Sequence, residues 1–533
     1  MGQFVNPGND LFARESRSKI YVDKTGLIEF TNGVIGSPSQ MFICNSRPRR
    51  FGKSYAADML AAYYSRGCDS EDLFQKYEIG GKPDFDRYLN KCDVIRFDVQ
   101  WCRSVADRMG TDPVDYINDS IVNDMRKEYP EIKFADNVPL FDAMNDFSKK
   151  TGRKFAVIID EWDSIIRDAS NDTSLVNEYM DFLRGLFKGT EPMEFILLAY
   201  ITGILPIKQQ KTQSALNNFD EYTMLAPAQF DEFIGFTDDE VRTLCRQYDA
   251  DYEEIKKWYD GYLLNDTQVY NPNSVCKCIN RQKAGNYWTS TGSFKPVHDC
   301  LTMNFDGMKQ DVIDMLSGVS IKVDTSTFEN HVEKSAFNSK DDVFTYMIHL
   351  GYLAYDETRQ EAFIPNEEIR RVLAAEISDS HWTEFDSFEK ESDELFEATV
   401  EGNNEKVAAE IEKIHDRYAS AIWYNNENSL ASTINIAYLS TLKYYFKPVR
   451  EMPTGKGFAD VMYLPRPEYL SDIPALVVEL KWNKDVNTAM DQIKNRQYPG
   501  SVSDYTGDMI LVGLTYDKKT KKHECLIERL VKE

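Results

Sequence analysis

Gly52-Lys53-Ser54 closes the stretch Arg47-Pro48-Arg49-Arg50-Phe51-Gly52-Lys53-Ser54. A glycine, a lysine and a hydroxyl opening a helix form an arrangement that binds nucleoside triphosphates. Backbone N–H groups at the helix N-terminus point at the anion, the lysine reaches the β- and γ-phosphates, and the hydroxyl binds Mg²⁺. The pattern G-x-x-x-x-G-K-[ST] wants glycine first, but Arg47 stands there, and Pro48 after it restricts the turn. Arg49 and Arg50 are further candidates for phosphate contact. The expected cofactors are ATP and Mg²⁺.

An apolar strand ending in two acids, Val157-Ile158-Ile159-Asp160-Glu161, supplies the matching half. Asp160 would hold Mg²⁺ through water, and Glu161 would polarise the attacking water. An isolated Asp-Glu at a strand end can equally pair with a lysine; Gly-Lys-Ser upstream favours the nucleotide reading. Thr202 ends the next apolar run. It is a candidate γ-phosphate sensor or, equally, a buried threonine closing a strand.

A second constellation lies far downstream. Asp460 follows Gly455-Lys456-Gly457-Phe458-Ala459, and eighteen residues separate it from Glu479 in Leu476-Val477-Val478-Glu479-Leu480-Lys481. Strand alternation puts Glu479 and Lys481 on one face. Two carboxylates such as Asp460 and Glu479 can hold Mg²⁺, which stabilises the transition state of phosphodiester cleavage and acidifies a water; Lys481 would orient that water or neutralise developing charge. E-x-K alone is a weak signal, because Glu and Lys pair across exposed strands. Val477, Val478 and Leu480 mark a central strand instead, where such a face needs a reason. Gln492 and Tyr498 are candidate nucleic-acid contacts, core hydrogen bonding being the alternative for Gln492, and Glu427 is a candidate further acid.

Other residues carry less. Trp258-Tyr259-Asp260-Gly261-Tyr262 could stack bases, but a packed helix end is the stronger reading. The six histidines show no paired ligand spacing, and Lys518, Lys519, Lys521 and Lys522 read as a solvated turn.

The elements that must position these residues are legible in outline. Met41–Cys44, Val94–Val99, Phe155–Ile159 and Phe195–Ile201 are apolar runs alternating with helical spacing, which predicts a doubly wound parallel sheet of P-loop NTPase type over 1–235. Thr237-Asp238-Asp239-Glu240 is a capping box opening a helix, and helical material dominates to about residue 380. Within it, helix, hairpin and helix over Val343–Glu367 suggest a winged-helix-like element or an ordinary helical subdomain. An acidic helical connector is expected over 381–419. An α/β module over 420–533 has helices at Leu430–Tyr445 and Thr488–Arg496 and strands at Phe458–Leu464, Ala475–Leu480 and Met509–Thr515.

At 533 residues the chain exceeds one core, so two to four domains are expected. The net charge of −25 argues against a generally basic nucleic-acid surface. The acidity is upstream, however: residues 431–533 hold 15 Lys+Arg and 13 Asp+Glu, against 47 and 74 before them. No apolar run is long enough for a membrane span and the first residues are not signal-like, so no membrane partner and a cytoplasmic location are expected. Nine scattered cysteines form no C-x-x-C pair, so reduced core thiols are expected.

Together these motifs resemble bacterial AAA-ATPase-like proteins that carry a C-terminal PD-(D/E)XK nuclease-like domain. The resemblance rests on Tyr21–Thr25, Ser46–Ser54, Ile159–Ser164, Thr202–Ile204, Asn217-Asn218, Trp258–Tyr262, Tyr270–Ser274, Gly351–Leu353 and Ile364–Asn366. It implies that the missing first glycine is a subfamily signature. It also implies an ATPase that gates Mg²⁺-dependent cleavage of nucleic acid, DNA before RNA, with homo-oligomerisation left open. The main rival is a nucleotide-dependent switch or assembly protein whose C-terminal domain binds without cleaving. A third reading is a nuclease with a vestigial ATPase.

Overall fold

Four of the apolar runs become strands of one sheet. In the computed structural model they are β1 (Phe42–Ser46), β2 (Asp93–Asp98), β3 (Phe155–Asp160) and β4 (Ile196–Gly203), with a short β5 (Asp220–Tyr222). The order is β2-β3-β4-β1-β5, and all neighbours run parallel. β1 and β3 are buried throughout, as parallel strands covered on both faces must be. The register sets Asp160 beside Thr202 on β4 and beside Asp98 on β2, and Ser46 beside Gly203. The strand ends that carry the candidate chemistry therefore line one edge of the sheet.

The structure describes residues 2–168, 172–207, 216–288, 295–303, 305–328, 337–379, 383–418, 434, 437–446, 448–453, 458–470, 472–495 and 507–530. Two compact units divide the chain: Met1–Ser290 with Val323–Ala362, and Thr291–Lys322 with Phe363–Glu533.

In the first unit, α1 (Asp10–Glu15) packs on α2 (Lys53–Tyr64), the helix that leaves the phosphate loop. α3 (Val99–Met109) follows β2 directly, and Asp98 caps it by accepting from the Trp101 N–H at 2.8 Å. One face of the sheet is filled by Phe42, Ile95, Val157, Ile159 and Ile201, with apolar stripes of the covering helices against them. β6 (Phe236–Thr237), β7 (Tyr262–Leu264) and β8 (Thr267–Tyr270) form a small antiparallel sheet in the order β6-β8-β7. Both halves of the expected capping box open α4 (Asp238–Tyr248). α5 (Lys340–Leu350) is buried over most of its length. The expected hairpin follows as Ala354–Asp356 and Glu361–Phe363.

The helix after that hairpin, α6 (Glu367–Asp379), belongs to the second unit; helix, hairpin and helix occur in the expected succession but not within one unit. α7 (Thr383–Val400) and α8 (Asn404–Tyr418) occupy the acidic segment. They are not a solvated connector: Leu395, Val407, Ile411 and Ile414 are fully buried, and α8 packs on a strand of the unit's own sheet. The apolar stripe decides the matter, because an amphipathic helix gains stability by burying it. That sheet has the order β9 (Val449–Pro453), β10 (Phe458–Tyr463), β11 (Ala475–Trp482), β12 (Met509–Asp517), β13 (Lys522–Leu530). Only β11 and β12 run parallel, and their crossover is α9 (Val486–Asn495), as a parallel pair requires. Of the helix expected over Leu430–Tyr445, Ile434 and Ala437 are helical and a 3-10 turn follows at Leu439–Lys443; residues 419–433, 435 and 436 lie outside the described residues. Among the described residues no disulfide joins the cysteines, and no helix is long and apolar enough to cross a membrane.

Candidate functional site

The phosphate loop leaves β1 and turns into α2 through two positive φ angles, Arg50 at 69° and Gly52 at 98°. No side chain caps α2, so its first-turn N–H groups lack intrahelical partners and suit an anion. Arg47 does not face that anion position. It is fully buried, and its guanidinium donates to the carbonyls of Ser46 (3.0 Å), Tyr222 (3.1 Å) and Phe230 (2.9 Å). Arg47 therefore ties the end of β1 to β5 and to the turn beyond it. Burial lowers its pKa to about 10.

The outside of the loop is braced by distant segments of the same unit. The Arg49 carbonyl accepts from Asn271 Nδ2 and Trp288 Nε1, both at 3.4 Å. Arg50 donates to the Tyr287 carbonyl at 3.1 Å, and Phe51 stacks edge-on against Tyr262 at 5.2 Å. Tyr262 in turn donates to the Gly351 carbonyl at 2.8 Å. Gly351 has φ +85°, and a Cβ there would lie 2.7 Å from Pro48 Cβ. Trp258, Tyr259 and Tyr262 are buried; they pack in the interior and are not a base-stacking platform.

Lys53 is buried, with its Nζ 3.1 Å from the Pro48 carbonyl and 3.8 Å from Glu161 Oε1. Asp160 is fully buried, and its Oδ2 has no hydrogen-bond partner. Glu161 has φ +51° and is bonded by Arg167 at 3.2 Å. Arg167 also bonds Asp163 at 3.0 Å, and Asp163 Oδ2 accepts the N–H groups of Ile204 (3.1 Å) and Leu205 (2.9 Å). Gly203 is needed at this junction, because a Cβ there would lie 2.7 Å from both Asp163 and the Trp162 ring. Thr202 donates its hydroxyl to the Asn45 carbonyl at 3.0 Å across the β1–β4 pair.

Residues 12–212 match the family model AAA-ATPase-like, described as predicted AAA-ATPase. An uncharacterized protein in the vnfD 5′ region of Azotobacter chroococcum mcd 1 is 26% identical over 295 residues, 54% of this chain and 54% of that protein. The chain thus spans about half the length of this curated relative. The Aeropyrum pernix ORC2 protein, solved in ADPNP and ADP complexes, aligns at 8% identity and TM-score 0.32, covering 69% of this chain and 98% of that one. C. elegans PCH-2 aligns at 13% identity and TM-score 0.19, covering 56% of each. At those TM-scores neither structure carries an argument.

Within the stretch that matches the family model the charges are arranged unevenly. Burial pushes the Asp160 carboxyl up to about 6; the Ser54 hydroxyl and Lys53 oppose this, while Asp98 and Glu161 add to it. Burial also pushes Glu161 up, but Lys53, Arg167 and Arg49 outweigh it and hold the group below the usual carboxylate range. Glu15 on α1 rises to about 7, first through burial and then through Asp58, with Asp160 a smaller contribution. The orphaned Asp160 oxygen beside the Ser54 hydroxyl fits a hard divalent cation. Sequence reasoning gave no role to Arg167, Asp163 or Asp98. Asp98 had a usable signal: it ends an apolar strand as Asp160 does.

The second unit brings Glu479 and Lys481 together. Both are buried, and Lys481 Nζ donates to Glu479 Oε1 at 3.0 Å and to the Leu480 carbonyl at 2.9 Å. β10 and β11 pair antiparallel with Val461 opposite Val478, so Asp460 and Glu479 each adjoin that pair along the chain. On the other side Glu479 pairs with Gly513, where an added Cβ would lie 3.3 Å from α9 atoms, so α9 sits close over this strand. Gln492 lies half-buried on α9. Tyr498 and Glu427 lie outside the described residues. Lys518, Lys519 and Lys521 occupy the exposed β12–β13 turn, as expected.

Proposed function

We propose that the AAA-ATPase-like region binds and hydrolyses ATP with Mg²⁺, and that this controls metal-dependent phosphodiester cleavage of nucleic acid by the second unit, DNA in preference to RNA. The observation that carries the first half is the convergence of an uncapped helix N-terminus, Lys53, Ser54, Asp160 and Glu161 at one edge of a parallel sheet. The α2 N–H groups and Lys53 would hold the phosphates, Lys53 leaving the Pro48 carbonyl to do so. Ser54 and Asp160 would hold the cation, which supplies charge neutralisation at the transferring phosphoryl group. Glu161, kept ionised by Lys53 and Arg167, would orient and polarise the attacking water. Arg49, whose charge acts on Glu161, would follow charge on the phosphates; Arg50 is bonded to the Tyr287 carbonyl.

The second half rests on Asp460, Glu479 and Lys481 on adjacent strands of a mixed sheet. Asp460 and Glu479 would hold the cation, and Lys481 would neutralise the developing charge. Gln492 and Tyr498 remain proposed nucleic-acid contacts. The test incubates the full chain with plasmid and linear DNA plus Mg²⁺, with and without ATP, beside Lys481→Ala and Lys53→Ala. Cleavage that disappears in Lys481→Ala and changes with ATP supports the reading; cleavage untouched by Lys481→Ala removes the nuclease assignment. One observation favours the rival switch, in which the second unit docks without cutting: Glu479 and Lys481 are shielded and closed on each other. Under that reading no variant or wild-type protein cuts DNA, while ATP still alters binding.

A further inference from the structure

We infer that Asp98 is a third side chain of the divalent-cation site in the AAA-ATPase-like region, holding a cation-bound water beside Ser54 and Asp160. This rests on the nucleotide-site reading above. Asp98 ends β2 as Asp160 ends β3, and the two are paired in register. In-register neighbours on parallel strands lie ~4.8 Å apart and put their side chains on the same face.

Asp160 is fully buried with Oδ2 unpartnered, and the Glu15 Oε2 atom on α1 is also buried without a partner. The other charged groups around this edge are occupied. Arg96 is held by Asp58 at 2.7 Å, and Lys53 by the Pro48 carbonyl and Glu161. Among the described residues neither Asp98 nor Asp160 forms an ion pair. A fully buried carboxylate, Asp160, beside the half-buried Asp98 is unfavourable without a cation, and a divalent ion resolves that. The three described carboxylates close enough to share one ion directly are elsewhere, at Asp112, Asp115 and Glu178. Two carboxylates and a hydroxyl offer few direct ligands, so the contact from Asp98 is placed through water, as suits Mg²⁺, which keeps several of its waters. Asp98 also caps α3 through the Trp101 N–H, which fixes its carboxylate at this edge.

The capping role can be separated from the cation role, because Asn and Ser cap a helix about as well as Asp. The experiment titrates Mn²⁺ into the full-length protein with ADP and reads bound Mn²⁺ by electron paramagnetic resonance, for wild type, Asp98→Asn, Asp98→Ser and Asp160→Asn. The expected result is an Mn²⁺ Kd raised about tenfold in both Asp98 variants, of the order found when groups around a metal's ligands are removed. ADP affinity in EDTA should stay unchanged. If Asp160→Asn weakens Mn²⁺ while both Asp98 variants bind it as wild type does, the inference fails and the nucleotide site stands. If Asp160→Asn also binds Mn²⁺ as wild type does, the nucleotide-site reading fails and Asp98 falls with it. Should Asp98→Asn not fold, Asp98→Ser decides.

Discussion

Arg47 shows how one residue can be misread from its position in a motif. It stands where phosphate loops have glycine, yet its guanidinium is bonded to three main-chain carbonyls, two of them on Tyr222 and Phe230. Restoring the consensus with Arg47→Gly should therefore not improve nucleotide binding. It should destabilise the first unit by about 3 kcal/mol or more, because buried carbonyls lose a charged donor and a cavity opens; thermal melting checks this. Nothing in the sequence near Arg47 points to those partners, so this role was not legible. The acid at Asp160 was legible, and its environment gives a pH prediction. Its carboxyl rises from 3.8 to about 6 on folding, so the cation-free protein is penalised as pH climbs from about 4 to above 6. Asp160→Asn should stabilise the cation-free protein at pH 8 by about 2–3 kcal/mol, and the gain should vanish near pH 4; urea melts in EDTA at the two pH values measure it. Arg167 belongs at this scale too. Replacing it with Ala leaves Glu161 less strongly ionised, so the acid limb of the ATPase pH profile should move to higher pH. An unmoved limb would show that Arg167 only holds Asp163.

At the scale of elements, the long apolar runs were read correctly because burial on both faces leaves a plain signature: β1, β3 and β4 each end at a residue of the candidate site. β5, of three residues, and β9, which ends in Pro453, give no such signature. The acidic pair α7–α8 was read as solvated because its charges outnumber its apolar residues, although the apolar ones lie in a stripe. α8 brings His415 to within 5.0 Å of the His523 ring on β13. Burial, with His415 beside it, depresses His523 from 6.5 to about 3. The stability this neutral ring contributes is present above pH 6.5 and is lost as pH falls toward 3, at up to about 1.4 kcal/mol per pH unit. His523→Phe should flatten the acid side of the second unit's stability profile, read by hydrogen exchange in β12 and β13; an unchanged acid slope would place the sensitivity elsewhere.

For the whole molecule, two units carry two candidate chemistries, and each candidate site is assembled within one unit. The family-model match covers residues 12–212, and the nuclease-like site lies in the other unit. The net charge of −25 means that any nucleic acid must meet a local surface against a repulsive field; added salt weakens the local phosphate contacts but also screens that repulsion, so binding should weaken only shallowly with salt. Filter binding at two salt concentrations, wild type beside Lys481→Ala, measures that dependence. The central claim is that Lys53 and Glu161 turn over ATP. It is tested most directly by phosphate release from ATP by the full-length protein with Mg²⁺, wild type beside Lys53→Ala and Glu161→Gln. The account predicts turnover that falls about 100-fold or more in both variants, with Glu161→Gln still binding ATP; turnover that survives in Lys53→Ala, or a wild-type protein that binds no ATP, would contradict it.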